Sequence, residues 1–142
     1  PTGEEDVKRL KELKKLDDAV IDEIAEIIAE TWRGDELAEF FERAGYQVDY
    51  GYEAEEHART FPAETGGADR LRRKVVRSKL HELNDEDYEK IVDVIEQAAS
   101  KKEHIDKNDR RETVLYRLNE AIKHEGWTVT RDGNVQPIEH EE

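Results

Sequence analysis

Cysteine and methionine are both absent from the 142 residues of this chain. Without cysteine there are no disulfide bonds, no thiolate metal ligands and no cysteine nucleophile, so packing must stabilise the fold. No apolar run approaches the roughly 18 to 20 residues that a membrane-spanning helix needs, and the acidic N-terminus lacks the basic and apolar regions of a signal peptide. These absences predict a cytoplasmic protein with no membrane segment.

Basic residues are outnumbered, with 23 lysines and arginines against 37 aspartates and glutamates and a formal net charge of -14. The composition leans toward disorder, but the apolar residues recur with a helical period, which a folded helical protein requires. We expect one helical domain over residues 1–138 and a disordered acidic tail at 139–142. The acid excess fits two sources, a halophile whose carboxylates keep the surface hydrated and an ordinary acidic protein.

The positive charge is concentrated in one segment. Six of the ten residues from 70 to 79 are basic, in a helix that we predict from about Ala68 to Leu83, ended by Asn84. Four of the six share a helical face, and two arginines of a later helix could extend it. The predicted partner-binding surface therefore consists of Arg70, Arg73, Lys74, Arg77, Arg110 and Arg111.

Three explanations of this basic face stay open. It is a solvated face whose charges pair with nearby acids such as Glu82, Asp85 and Glu86, a nucleic-acid-binding surface, or the contact surface for an acidic protein partner, including a second copy of the chain. Long-range repulsion between phosphates and a chain of net charge -14 opposes nucleic acid. We therefore rank a protein partner above nucleic acid.

The first predicted helix is long. Between Glu4 and Trp32 there is no glycine or proline, and apolar residues recur at steps of three and four apart from Asp17. Residues 1–16 are expected to project as a helical extension, in which Leu10 and Leu13 either dock on their own domain or form a self-association seam in a homodimer. Charged residues flank these leucines: Lys8, Lys11, Glu12 and Lys14.

The remaining elements are short. We predict a helix from Glu36 to Ala44 with Asp35 as its N-cap, a long loop over 46–67 with one helical turn near 53–59, helices over 85–100 and 109–125, and a hairpin at Asp132-Gly133-Asn134. The fold class is mainly α, a compact bundle of about five helices with a long N-terminal helix and a small C-terminal β-hairpin. The predicted core includes Phe40, Phe41, Leu80, Ile95, Leu118 and Trp127.

Catalytic and metal-binding patterns are missing from the sequence. The five histidines fall in different elements without a ligand spacing, so we expect no metal and no cofactor. The only local mixture of acid, base and phenol is Glu56-His57 with Tyr50 and Tyr52 in the long loop. A small hydrolase built on this loop is the third-ranked function, because a position in a loop is weak evidence for catalysis.

Three stretches together resemble a known family. They are DELAEFFERAGY at 35–46, SKLHELN at 78–84 and RLNEAIKHEGWTVTRDGNVQPI at 117–138. They resemble the small helical N-terminal modules of prokaryotic defence proteins of the abortive-infection type. The resemblance implies a module that senses, recruits or oligomerises beside a separate effector such as a nuclease. This chain carries no effector stretch, so we expect a non-enzymatic interaction or oligomerisation module, with a nucleic-acid-binding regulator as the alternative.

Overall fold

Six α-helices and a two-stranded hairpin make up the described part of the chain. A computed structural model describes residues 15–59 and 67–138. Two 3₁₀ turns, Lys101–His104 and Lys123–Glu125, follow the fifth and sixth helices. The elements are α1 (Asp18–Thr31), α2 (Asp35–Ala44), α3 (Tyr52–Arg59), α4 (Gly67–Glu86), α5 (Tyr88–Ala99), α6 (Asn108–Ile122), β1 (Trp127–Val129) and β2 (Val135–Pro137).

The helix α1 begins at Asp18, so the prediction of one continuous helix from Glu4 to Trp32 is wrong. Lys15 to Asp17 are not helical, and Asp17 is the N-cap, with a backbone ψ of 141° and a side chain that accepts from the amide of Ala19. An aspartate at this position ends a helix on its N-terminal side because its carboxylate binds amides that have no helical partner. Asp17 was also the residue that interrupted the apolar period.

The core lies between α1 and the helices packed around it. Every residue of the predicted core is buried, and the largest fully buried side chains include Trp32, Phe40 and Phe41. The rings of Trp32 and Phe40 stack with centroids 4.2 Å apart, and Phe41 meets Phe40 edge to face at 5.3 Å. Such geometries add about 0.5 to 1.5 kcal/mol beyond the burial of area. Trp32, which directly follows α1, and the two phenylalanines of α2 therefore form one packed unit.

The sequence predicted that Asn84 ends α4, but Asn84 lies within α4. From there its side chain holds the segment that precedes α1. Its side chain is buried, accepts from the amide of Leu16 at 3.0 Å and donates to the carbonyl of Leu16 at 3.0 Å. An asparagine can pair both groups of one residue because its amide carries a donor and an acceptor. The helix continues to Glu86, and Asp87 is the N-cap of α5, which begins at Tyr88 and not at residue 85 as predicted.

The C-terminal hairpin has the predicted turn, and its outer edges are occupied by side chains. Its strands pair antiparallel with Val129 opposite Val135. On β1, the amide of Asn119 accepts from the N–H of Val129 at 2.7 Å and donates to its carbonyl at 3.2 Å. On β2, the N–H of Val135 donates to Glu96 at 2.8 Å. These contacts fasten the hairpin to α5 and α6.

Candidate interaction surface

One arginine of the basic segment is buried. Only 3% of the Arg72 side chain is exposed; it donates to the carboxylates of Glu55 and Asp69, and to the carbonyl of Ala29 at 2.6 Å. Glu55 is buried to nearly the same extent. Arg72 therefore joins α4 to α1 and α3, and its charge belongs to the interior. Hydrogen bonding to Arg72, with Arg33 and Arg73 nearby, holds the pKa of Asp69 below its ordinary value.

Two arginines of the predicted surface pair within the fold. The Nε of Arg73 lies 3.3 Å from Glu26, and the Nε of Arg77 lies 3.8 Å from Asp22. Their neighbour His81 places its Nε2 2.8 Å from Asp22. From Arg73 to Arg77 along α4, the acidic partner changes from Glu26 to Asp22, which lies earlier in α1. The two helices are therefore antiparallel. The acidic stripe on α1 has i, i+4 spacing and consists of Asp18, Asp22, Glu26 and Glu30.

The acids predicted from the sequence as partners for this face were Glu82, Asp85 and Glu86. Those acids pair elsewhere: Glu82 with Lys79, Asp85 with Lys15 and Glu86 with Lys90. Pairing between α1 and α4 depends on the tertiary arrangement, so residues close in sequence gave the wrong acids. The pairs are roughly half exposed, and contacts of this kind contribute about 0 to 1 kcal/mol each.

Two cations of α4 remain outside this ladder. Arg70 and Lys74 are exposed, lie one turn apart and form no ion pair with any described residue. Arg33, which follows α1, is exposed and likewise has no ion pair in residues 15–59 and 67–138, although its charge acts on Asp69. These three residues, Arg33, Arg70 and Lys74, are named here the cationic patch. Arg33 acts on the pKa of Asp69, the residue directly before Arg70, so Arg33 lies near the N-terminal part of α4.

Arg110 and Arg111 do not extend this patch, contrary to the sequence prediction. Arg111 is buried and donates to the backbone carbonyls of Ala99 and Arg131. The guanidinium of Arg110 lies over the ring of Trp32 at 5.6 Å and is half-buried. Both arginines face the junction of α5 and α6, where their donors bind groups that would otherwise be unpaired. They are structural residues.

A buried polar cluster surrounds Arg110. The Nε of Arg110 donates to the Nδ1 of His104 at 3.0 Å, and the His104 Nε2 lies 2.8 Å from the carbonyl of Ala98. Because a guanidinium only donates, Nδ1 carries no proton and Nε2 donates to Ala98. Burial, assisted by the charge of Arg110 and opposed by the bond to Ala98, lowers the pKa of His104. The imidazole is therefore neutral and fixed in one tautomer.

Glu103 anchors the same region to α2. It is buried and receives two hydrogen bonds from Arg43, at 2.6 and 2.8 Å, and one from Gln97. Burial favours the neutral acid, but these donors outweigh it, and the pKa of Glu103 lies below its ordinary value. A carboxylate that accepts this many bonds has a structural role. No motif in the sequence distinguishes Glu103 from the many other acids, so the pattern alone could not have found it.

Part of the predicted loop over 46–67 is the helix α3, which carries three of the four residues of the suggested hydrolase site, Tyr52, Glu56 and His57. Tyr50 is buried, whereas Tyr52 and His57 are exposed on α3, a helix longer than the single predicted turn. Asp35 caps this helix rather than α2, since its carboxylate accepts from the amide of Tyr52 at 2.7 Å.

Two further sequence predictions concern residues that the structure does not describe. Leu10 and Leu13, the proposed self-association seam, and the tail at 139–142 lie outside them. Within residues 15–59 and 67–138 there is no group of three histidine, aspartate or glutamate residues placed to hold a metal ion. No helix in this part of the chain is long and apolar enough to cross a membrane.

Comparisons with known proteins give no relative. No family model, no curated protein and no solved structure matches the chain. The function must therefore be argued from the surface of the molecule.

Proposed function

We propose that the protein is a non-enzymatic interaction module that binds an acidic surface of a partner protein through the cationic patch. The observation that carries this proposal is the exposure of Arg33, Arg70 and Lys74, with no ion pair to a described residue, in a chain of net charge -14. Nearly every other described arginine is used inside the fold or in an ion pair. Exposed cations without an internal partner can attract a surface of negative charge, which makes association faster and more specific.

An acidic protein fits this patch better than a nucleic acid. Non-specific binding to DNA draws its affinity from several phosphate contacts, and three cations supply few of them. The acidic stripe of α1 lies directly behind the basic face of α4, where it opposes the approach of a long polyanion. A protein partner need only place a small acidic group against the patch.

Tyr52 is the one observation that favours the second candidate, a single-stranded nucleic acid. Tyr52 is 58% exposed and lies beside Gly34, the residue after Arg33. An exposed aromatic ring next to cations is the arrangement on which bases stack in proteins that bind single strands. This candidate ranks second because only one such ring accompanies the patch in the described residues.

A connection with prokaryotic defence is part of the proposal. It rests on the resemblance over residues 35–138, whose implied role is sensing or recruitment. A surface used for recruitment requires exposed groups that the fold itself does not need, and the cationic patch meets that requirement.

The test compares two labelled probes of equal charge, a polyglutamate peptide and a single-stranded oligonucleotide, by fluorescence anisotropy at low and physiological salt. Arg70→Glu/Lys74→Glu should abolish binding of the peptide. Lys101→Glu/Lys102→Glu is the matched control, since it changes the net charge equally at exposed lysines on another face. Binding of the oligonucleotide alone would replace the proposal by the second candidate. Equal effects of both double variants, or no binding of either probe, would refute the proposal that the cationic patch binds a partner.

A further inference from the structure

Two exposed acids adjoin the cationic patch. Glu36, in the first turn of α2, and Glu53, on α3, form no ion pair with any residue in 15–59 and 67–138. Asp69, directly before Arg70, is by contrast bonded to Arg72. Glu36 and Glu53 are therefore negative charges without an ion-pair partner in the described fold.

The backbone holds both acids close to Arg33. The N–H of Glu36 donates to the carbonyl of Arg33 at 3.1 Å, so a single turn joins the patch to α2. Gly34 lies in this turn, and a Cβ added to it would lie 4.0 Å from the Cα of Tyr52, the residue before Glu53. Positive and negative groups thus lie side by side in one region of the molecule.

The helices α3 and α4 meet in the same region. Glu55 of α3 binds Arg72 of α4. Glu53 and Arg70 each lie two residues before one member of this buried pair. Glu53 nevertheless forms no ion pair with Arg70 or Lys74. Opposite charges that lie close without pairing inside one chain are available to the same charges of another chain.

We propose that the partner of the cationic patch is a second copy of this chain, bound in a two-fold symmetric dimer. The cationic patch of each protomer faces Glu36 and Glu53 of the other. This inference rests on the proposed function, because it assigns a partner to the same patch.

The closeness of the two charge sets favours a closed dimer over an open polymer. A two-fold interface uses the same surface of both protomers, so a surface that carries both signs side by side satisfies both of its sets at once. Tyr52 supplies aromatic contact area in this surface, since it is 58% exposed and directly precedes Glu53. Tyrosine is enriched in protein interfaces and among the residues that contribute most to their affinity.

The net charge of -14 does not prevent this contact. At physiological ionic strength, exposed charges farther apart than about 8 Å are largely screened from one another. Repulsion between the remaining acids of two protomers is therefore weakened more than attraction between groups in direct contact. At about 1 M salt the screening length falls to about 3 Å, so the exposed pairs of the dimer should weaken as well.

The experiment is a charge exchange followed by sedimentation velocity over a wide range of protein concentration. One full-length variant, Arg70→Glu/Lys74→Glu, makes the patch negative, and another, Glu36→Lys/Glu53→Lys, makes the acids positive. Two controls change the net charge equally at exposed residues elsewhere, Lys101→Glu/Lys102→Glu and Glu82→Lys/Asp85→Lys, the latter at the other end of α4. Circular dichroism checks that each chain is folded.

We expect the parent chain and both controls to form dimers at physiological salt. Each reversed chain alone should have a dissociation constant higher by about tenfold or more, because like charges then face each other. An equimolar mixture of the two reversed chains should form a heterodimer, since both contacts are again between opposite charges.

A parent chain that is monomeric at every concentration would overturn the dimer, as would a dimer that survives either reversal, because other residues would then hold it. Failure of the mixture to associate would also overturn it. The proposed function is tested separately with the polyglutamate peptide. A monomeric parent that binds this peptide would refute the dimer alone, whereas a parent that neither binds the peptide nor dimerises would refute both.

Discussion

Replacement of Arg72 by methionine should destabilise the fold more than any other substitution in the basic segment. Methionine keeps the length and apolar stem of the side chain, so the change removes mainly the guanidinium. It leaves the Glu55 carboxylate buried without a partner and the carbonyl of Ala29 without its donor. It also separates α4 from both α1 and α3 at a single point.

The expected loss follows from the burial of the pair. Breaking a buried ion pair by removing one partner typically costs about 3 to 5 kcal/mol, because an uncompensated charge remains in the interior. Domains of this size are stable by about 5 to 15 kcal/mol in total. Arg73→Met, which removes a half-exposed pair with Glu26, should cost no more than about 1 kcal/mol. The two neighbouring arginines should therefore differ severalfold in their contribution.

Urea denaturation followed by circular dichroism measures both free energies of unfolding. The double variant Arg72→Met/Glu55→Met should recover much of the loss, since removal of both charges leaves no buried ion. An Arg72→Met protein within about 1 kcal/mol of the parent would refute the reasoning. So would a double variant less stable than the sum of the single changes.

Two further predictions concern single residues. The free energy of unfolding should fall as the pH falls below about 6.5, the ordinary pKa of histidine, because the pKa of His104 is lowered in the fold and the unfolded chain therefore binds the proton more readily. Denaturation at several pH values should show a smaller dependence on pH for His104→Gln. Identical slopes for the two proteins would contradict the assignment. Gly133→Ala should lower the free energy of unfolding by about 1 to 3 kcal/mol, since φ is +90° and a Cβ would lie 3.1 Å from the carbonyl oxygen of Ala99. Gly126→Ala is the control, because Gly126 has a similar φ of +80° but no atom within 4 Å of a Cβ, and it should lose less stability in the same thermal melt.

The sequence predicted the helical class and the core because both depend on local periodicity. The predicted helix over Glu36 to Ala44 and the hairpin turn at Gly133 are confirmed. The buried positions Leu80, Ile95 and Leu118 follow from spacing on one helical face. These features require no knowledge of how the elements pack.

The roles of charged residues could not be predicted in the same way. Arg72 and Arg70 have the same chemistry and lie two residues apart, yet one is buried and the other exposed. The difference comes from Glu55 and the end of α1, which only the tertiary fold brings near Arg72. The prediction that Asn84 ends α4 was wrong for a related reason, because the side chain of this residue binds another element, at Leu16.

The hairpin has a consequence for how this protein can assemble. Val135 already gives its N–H to Glu96, and Pro137, the next residue on that outer edge, has no N–H to give. On the opposite strand, Asn119 occupies both backbone groups of Val129. An incoming strand would find no free donor along β2 and would have to displace Asn119 on β1. Both edges of this hairpin are therefore unfavourable sites for strand addition and for edge-to-edge aggregation.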